Sequence, residues 1–228
     1  MMRILSLNVR SGGGTRTEKI IEYLDKKLPD VIVLSEFRKN AAGDKIRAWL
    51  DNLAFSYQIA PVADHKKNTV LVAGRRIESV VLDAFPNDWS ATVVRINDVR
   101  IIGVYFPQEE KKQPVFDWFL RYMPDMKKAV VIGDFNTGLN DLDRENSVST
   151  RFYCQDEFKV LSTDILVDAY RYCHLKKREY SWYSQKHNGF RIDHALLTHD
   201  LVKSLSSVGY DHTTRQAITD HSGLFVNL

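Results

Sequence analysis

The sequence predicts a single mixed-sheet α/β or α+β domain. Three observations carry this reading. Apolar runs of strand length recur at residues 3–8, 31–36, 69–74, 91–96, 99–106 and 129–136. Stretches with helical apolar spacing fall between several of them, which is the pattern of strand–helix crossovers. Asn97-Asp98 joins two of the runs as a two-residue hairpin, so antiparallel neighbours stand beside the crossovers. No repeat, low-complexity linker or composition shift divides the 228 residues, and residues 1–228 are read as one domain with enough chain for a substantial core.

Each element has its own signal. Residues 3–8 form an apolar strand, and the glycines at 12–14 read as a flexible loop, because no Gly-Lys-Ser/Thr follows to make a phosphate loop. In "TRTEKIIEYLDKKL", Thr15 and Glu18 have capping-box spacing, and Ile20, Ile21 and Leu24 share a helical face. Pro29-Asp30 ends that helix, and "VIVLSE" is a second strand. A helix is expected over residues 44–53, then strands at "TVLVAG", "SVVLDAF", "ATVVRI" and "VRIIGVYF". A helix over 115–126 leads into "AVVIGDFN", and the less regular second half offers strands at "YSWYS", "FRIDHALLT" and "GLFVNL".

Composition bounds the function. Lys and Arg number 32 against 29 Asp and Glu, a formal +3 that tolerates a polyanionic partner without demanding one. Two cysteines, Cys154 and Cys173, make neither a disulfide framework nor a Cys-x-x-Cys metal site, so a reducing compartment is expected. No apolar run approaches a membrane span, and the first fourteen residues lack a signal-peptide core; a cytoplasmic protein with no membrane partner is expected.

The strands end unusually. Asn8, Glu36 and Tyr105 each stand where an apolar run finishes, Asp134 and Asn136 close another, Arg191 and Asp193 interrupt "GFRIDHALL", and Asp220-His221 precede the last strand. An Asp or Asn after a strand is most often a turn former. Independent turn residues would not all have to be acid, amide or imidazole, and strand ends are where sheet scaffolds carry sites.

Taken in order, "LNVR", "LSEF", "GVYFP", "GDFN", "GFRIDHALL" and "TDHSGL" resemble the endonuclease/exonuclease/phosphatase superfamily, which includes exonuclease III-type apurinic endonucleases, deoxyribonuclease I and sphingomyelinases. The resemblance spans Leu7 to Leu224, and "YSWYS…NGFRIDH" is most similar to the exonuclease III branch. The fold it implies is a four-layer sandwich, with two mixed β-sheets face to face and helices outside.

The chemistry of the residues points the same way. Phosphodiester hydrolysis needs a positioned water, a shield for phosphate charge and help for the leaving oxygen. Glu36 is the first candidate for a Mg²⁺ ligand, with Asn8 and Asp220 beside it and Mn²⁺ as a substitute; an oxygen-only set without a Cys/His cluster argues against zinc. Asp134 would orient or deprotonate the attacking water, Asn136 would hydrogen-bond the phosphate, and His221 would donate to a phosphate oxygen with Asp193 orienting its imidazole. Tyr105 offers a phenolic hydroxyl to phosphate or leaving group. A serine-hydrolase reading fails for want of a G-x-S-x-G elbow. His194 reads as structural and the remaining histidines as surface residues.

Departures from the family concern substrate. Gln108 follows "VYFP" where the nuclease branch commonly has Asn, and only "SQKHN", containing Lys186, separates Tyr183 from Gly189 where exonuclease III-like proteins have a longer, Arg-containing loop. Trp182, Phe190 and Ile192 match the positions lining the sugar pocket of abasic-site enzymes, with ordinary core packing as the alternative; Arg191 is grouped with them as a substrate contact. The leading expectation is a metal-dependent DNA hydrolase of exonuclease III or abasic-endonuclease type, monomeric and without an obligate protein partner. A phosphodiesterase or phosphatase of a small or lipid phosphate is the alternative, and a catalytically silent nucleic-acid-binding module the third.

Overall fold

Val31 and Val33 point to one side of their strand and Ile32 and Leu34 to the other, yet all four are buried. A strand buried on both faces needs a packed layer on each side. The computed structural model, which describes residues 2–75, 78–79 and 89–228, supplies those layers.

The chain runs β1 (Arg3–Asn8), α1 (Thr17–Lys27), β2 (Val31–Phe37), α2 (Ala41–Asn52), β3 (Tyr57–Ile59), β4 (Thr69–Gly74), β5 (Glu78–Ser79), β6 (Ala91–Ile96), β7 (Val99–Tyr105), α3 (Gln113–Tyr122) and β8 (Ala129–Asp134). It continues with α4 (Gln155–Lys159), β9 (Val167–Asp168), α5 (Ala169–Cys173), β10 (Trp182–Tyr183), β11 (Gly189–Phe190), β12 (Asp193–Leu197), β13 (Ser207–Asp211), α6 (Thr213–Ala217) and β14 (Gly223–Asn227). Among the described residues these strands build two six-stranded sheets, ordered β13-β14-β1-β2-β4-β3 and β5-β6-β7-β8-β12-β9, with β10 and β11 as a separate hairpin. Both sheets are mixed: β1 and β2 are parallel, as are β7 and β8, and the other pairings are antiparallel.

The four-layer sandwich follows from the alternation. Val31, Val33, Val70 and Val72 of the first sheet meet Ile101, Val130, Ile132 and Leu197 of the second in a central core. Leu5, Ile32 and Leu34 face outward onto Ile20 and Leu24 of α1 and Ile46 and Leu50 of α2. Ile102 and Val131 face the other way onto Val115, Phe116 and Phe119 of α3. Gly103 lets the sheets approach, since a Cβ there would lie 2.8 Å from both Val33 Cγ1 and Val72 Cγ2. Two hydroxyls cross the interface: Ser35 Oγ donates to Val104 O at 2.9 Å and Thr92 Oγ1 to Val70 O at 2.7 Å. Among the described residues no helix is long and apolar enough to cross a membrane.

Several local expectations shift. Thr15 does not cap a helix; a 3₁₀ turn at Gly14–Arg16 precedes α1, whose first residue, Thr17, bonds back to Gly14 O at 2.6 Å. Helix α2 begins before residue 44 because Asn40 caps it, accepting from Gly43 N at 3.0 Å. Helix α3 starts earlier and stops sooner than 115–126, with Pro114 in its first turn. "FRIDHALLT" is split at Arg191-Ile192 between β11 and β12. The strand expected at "SVVLDAF" lies outside the described residues beyond Ser79.

Candidate active site

The site forms along one edge of the sandwich, where strand ends of both sheets meet. In the first sheet, Asn8 closes β1 and pairs in register with Ser35 of β2. The β2–β4 register then shifts between Ser35 and Phe37, and Glu36 takes φ +55°, an uncommon conformation for a residue with a side chain. The glycine loop closes over this bulge: Gly12 N–H donates to Glu36 O at 2.8 Å and Ser11 N–H to Glu36 Oε2 at 2.7 Å. Asn68 Nδ2 reaches the same oxygen at 2.9 Å.

In the second sheet, Asp134 ends β8, aligned with Tyr105 of β7 on one side and Asp193 of β12 on the other. Gly133 precedes it at φ +148°, where a Cβ would fall 2.0 Å from Val104 O, so this position of "GDFN" admits only glycine. Asn136, at φ +50°, donates its backbone N–H to Asp134 Oδ1 at 2.8 Å and its amide to Phe106 O at 2.8 Å. Lys112, almost completely buried, holds the Asn136 carbonyl at 2.7 Å.

Asn8 bridges the sheets. Its Nδ2 donates to Glu36 Oε1 at 3.1 Å and to Asp134 Oδ2 at 2.9 Å, while its Oδ1 accepts the Arg10 N–H at 2.8 Å. Asn8 is therefore a tie between carboxylates. The loop before β14 is fastened to β1 by Thr219 Oγ1, which donates to Asn8 O at 2.8 Å. That fastening sets His221 Nδ1 2.9 Å from Asp193 Oδ2, and Trp182 Nε1 donates to Asp220 Oδ2 at 3.4 Å. Asn8, Glu36, Asp134, Asp193, Asp220 and His221 thus converge from positions more than 200 residues apart, as Asn8 and His221 illustrate.

The electrostatics divide the roles. Burial alone would lower the His221 pKa, but Asp193, hydrogen-bonded to it, with Asp134 and Asp220 beyond, outweighs burial and lifts it to about 10, so the imidazole is a cation at neutral pH. Burial pushes the Asp134 carboxyl up to about 7, with Asp193 and Glu36 adding to the rise and His221 opposing it. Tyr105 is raised by burial and by Glu36, which keeps its hydroxyl a donor. Among the described residues, Asp134, Asp193 and His221 are the group of acid and imidazole side chains whose ligand atoms lie within 4.8 Å of one another. A cationic imidazole is a poor ligand, but the closely spaced carboxylate oxygens at this edge fit a hard divalent cation.

A cleft of about 600 Å³ opens beside Asn136 and Trp182. Gln108, Lys186, Phe190 and Ile192, all expected to meet substrate, line it with Trp182. Arg191 does not. It is fully buried, with Nε 2.7 Å from Asp143 Oδ1 and Nη2 2.6 Å from Asp168 Oδ2, so the substrate role expected of it is replaced by a structural one. His194, also fully buried, meets Thr137 O at 2.8 Å and packs on Phe158, the structural role expected. His212 is half-buried between Ser222 and Glu179 rather than free at the surface.

Four contributors were missed. Asn68 directly precedes "TVLVAG", the same strand-end signal as the others, and was open to discovery. Lys112, inside "EEKKQP", and Arg151 and Phe152, in an irregular stretch, carry no such signal.

Facing mixed sheets with acids, amides and an imidazole gathered at one edge are the scaffold of a phosphoester hydrolase. The chain belongs to the Endonuclease/Exonuclease/phosphatase family, which it matches over residues 5–221. Among solved structures it is similar to an AP endonuclease from Archaeoglobus fulgidus, with TM-score 0.83 and 21% identity over 99% of this chain and 98% of that one. It is also similar to NExo of Neisseria, a 3′ phosphatase bound to a product DNA hairpin, with TM-score 0.82 and 23% identity over 100% of this chain and 99% of that one. A structure of the Neisseria meningitidis 3′–5′ exonuclease NExo gives the same TM-score of 0.82, identity of 23% and coverage of 100% and 99%. At such identities the likeness is one of fold.

Proposed function

We propose that the protein is a Mg²⁺-dependent phosphodiester hydrolase acting on DNA, of exonuclease III or abasic-endonuclease type, with Mn²⁺ able to substitute. The observation that carries this reading is the cationic His221–Asp193 pair standing against Asp134, itself tied through Asn8 to Glu36. Glu36 and Asp220 would hold the cation, which when bound supplies Lewis acidity toward the phosphate. Asp134 orients the attacking water and takes its proton. His221 donates a charge-assisted hydrogen bond to a non-bridging oxygen as charge builds there. Asn136, whose amide donates to Phe106 O and which lines the adjoining cleft, would hydrogen-bond the phosphate, and Tyr105 would offer its hydroxyl to phosphate or leaving group. The solved relatives named above, among them an AP endonuclease and an enzyme bound to a DNA hairpin, support a DNA substrate. The chain is read as a monomer acting in the cytoplasm.

One observation favours the alternative of a small phosphate ester. Ser184 and Asn188 close a tight turn, with Ser184 N–H on Asn188 O at 2.9 Å and His187 N–H on Ser184 O at 2.9 Å, which leaves little loop to grip a duplex. The experiment that separates the readings is a cleavage assay on abasic, nicked and single-stranded oligonucleotides and on a small phosphodiester, with Mg²⁺ and with EDTA. Oligonucleotide cleavage that EDTA abolishes is expected. Full activity in chelator would overturn the mechanism, and cleavage of the small ester alone would overturn the substrate.

A further inference from the structure

We propose that Glu179, His212 and Ser222 form a hydrogen-bonded chain behind the site that holds the backbone of His221, which makes His212 a positioning residue for the reaction. This rests on the role given to His221 in the hydrolase reading and adds a residue that touches no substrate.

The chain is read from its donors and acceptors. His212 Nε2 stands 2.8 Å from Glu179 Oε1, and its Nδ1 stands 2.8 Å from Ser222 Oγ. A carboxylate only accepts, so Nε2 carries the proton, and the Nδ1 of the neutral ring accepts from the Ser222 hydroxyl. The far end is anchored. Lys177 Nζ lies 2.8 Å from Glu179 Oε2, and the Tyr170 hydroxyl donates to the same oxygen. Burial alone would raise the Glu179 carboxyl, but Lys177, Tyr170 and His212 hold it down at about 2.

The near end meets the catalytic group. Ser222 follows His221 directly, is 1% exposed, and donates its N–H to Ser181 O at 2.8 Å. Ser181 Oγ in turn accepts the Ile192 and Asp193 N–H groups, each at 3.1 Å. The His221 carbonyl accepts from Thr214 Oγ1 at 2.8 Å. The His212 ring also lies nearly parallel to that of Tyr210, with centroids 6.2 Å apart, and the Tyr210 hydroxyl donates to Asp193 O at 2.6 Å. One cluster thus braces both members of the His221–Asp193 pair from behind.

Exposure separates this chain from a nucleophile relay and from the core. Serine, histidine and carboxylate in series is the order of a hydrolytic triad, but a serine so buried reaches no substrate. His212 keeps 34% of its side chain exposed, facing a cavity lined by Arg3, Lys27 and Phe225 and not the substrate cleft. An effect of His212 on turnover must therefore pass through Ser222 or Tyr210. Rotating the 221–222 peptide swings the imidazole, and a displacement of about 1 Å can cost about 10²-fold in rate.

The test compares His212→Phe, which keeps a flat ring but neither nitrogen, with His212→Asn, whose amide stands near the place of Nδ1 and can still meet Ser222 Oγ. Circular dichroism checks the fold of both. With Mg²⁺ and an abasic oligonucleotide, His212→Phe should lower kcat about 10- to 100-fold with KM little changed, and His212→Asn should recover most of the loss. The His221 imidazole NMR signals should shift in His212→Phe and return in His212→Asn. Ser222→Ala alone should show the same fall and shift, so the test stands even where His212→Phe does not fold. Adding His212→Phe to Ser222→Ala should then change kcat little further. Wild-type kcat in folded His212→Phe or in Ser222→Ala, a loss carried by KM, or additive losses in the double variant would refute the chain. If the wild-type protein cleaves nothing, the hydrolase reading falls, and the His221 signals still decide whether the chain holds that residue.

Discussion

His221 Nδ1 and Asp193 Oδ2 stand 2.9 Å apart, with both side chains nearly removed from solvent. The carboxylate both aims the imidazole and keeps its proton in place across the neutral range. Asp193→Asn preserves shape but removes the charge. Turnover is expected to fall about 10²–10⁴-fold, and the His221 titration followed by NMR should move down toward the ordinary histidine value. Wild-type turnover would reduce the pair to a packing contact.

Asp134→Asn and Lys186→Ala should separate chemistry from grip. The first keeps an acceptor near the water but no base, so turnover should drop about 10²–10⁴-fold with DNA affinity largely kept. The second removes at most one phosphate contact from the cleft. Its affinity should weaken and its salt dependence flatten by roughly one counterion, with saturated turnover little changed. Rates and affinities of both variants across a salt series read this directly; wild-type turnover in Asp134→Asn would leave "GDFN" as a turn and nothing more.

Arg191→Met tests the buried ion cluster. Burial alone would raise the Asp143 and Asp168 carboxyls, but Arg191 holds both below the usual carboxylate range. Stabilisation from this pairing is complete above the unfolded-state pKa of about 4 and is lost as pH falls below it. Removing the guanidinium strips Asp168 of its arginine and leaves Asp143 with Arg171 alone, and should cost about 3–5 kcal/mol. Urea unfolding at neutral pH measures the loss. The same experiment near pH 4 should show the variant closer to wild type, because its stranded carboxylates are then protonated.

Lys112 predicts an effect of the same sign in the alkaline range. Burial lowers its pKa to about 8. Between that value and the ordinary lysine pKa near 10.4, the unfolded chain binds a proton that the folded protein has released, so stability rises with pH in that window. Lys112→Met should remove up to one proton's worth of this slope. Identical slopes in the two proteins, taken from unfolding free energies between pH 8 and 10, would contradict it.

How much of this was legible in the sequence depended on range. Asn8, Glu36, Asp134, Asp193 and His221 were readable because each interrupts an apolar run at its end, a pattern that survives without knowing which strands are neighbours. Arg191 was misread for the complementary reason. Its partners, Asp143 and Asp168, lie 48 and 23 residues away, the first in irregular chain and the second in the two-residue strand β9, and nothing local distinguishes a buried guanidinium from one awaiting a phosphate. The Thr15 cap failed because consecutive glycines allowed a 3₁₀ turn to start first. Phe152 and Lys112 gain their positions from tertiary contacts alone.

The amide of Asn8 makes the centre a gauge of sheet alignment. Glu36 comes from one sheet and Asp134 from the other, and a single nitrogen spans them at 3.1 and 2.9 Å. A slip of either sheet by one residue would reverse the facing of every side chain on the slipped strands and pull those two carboxylates apart together. A partly assembled protein, with one sheet formed and the other not, would thus hold no half-working centre. Activity and the cooperative docking of the two halves should vanish and return as one event.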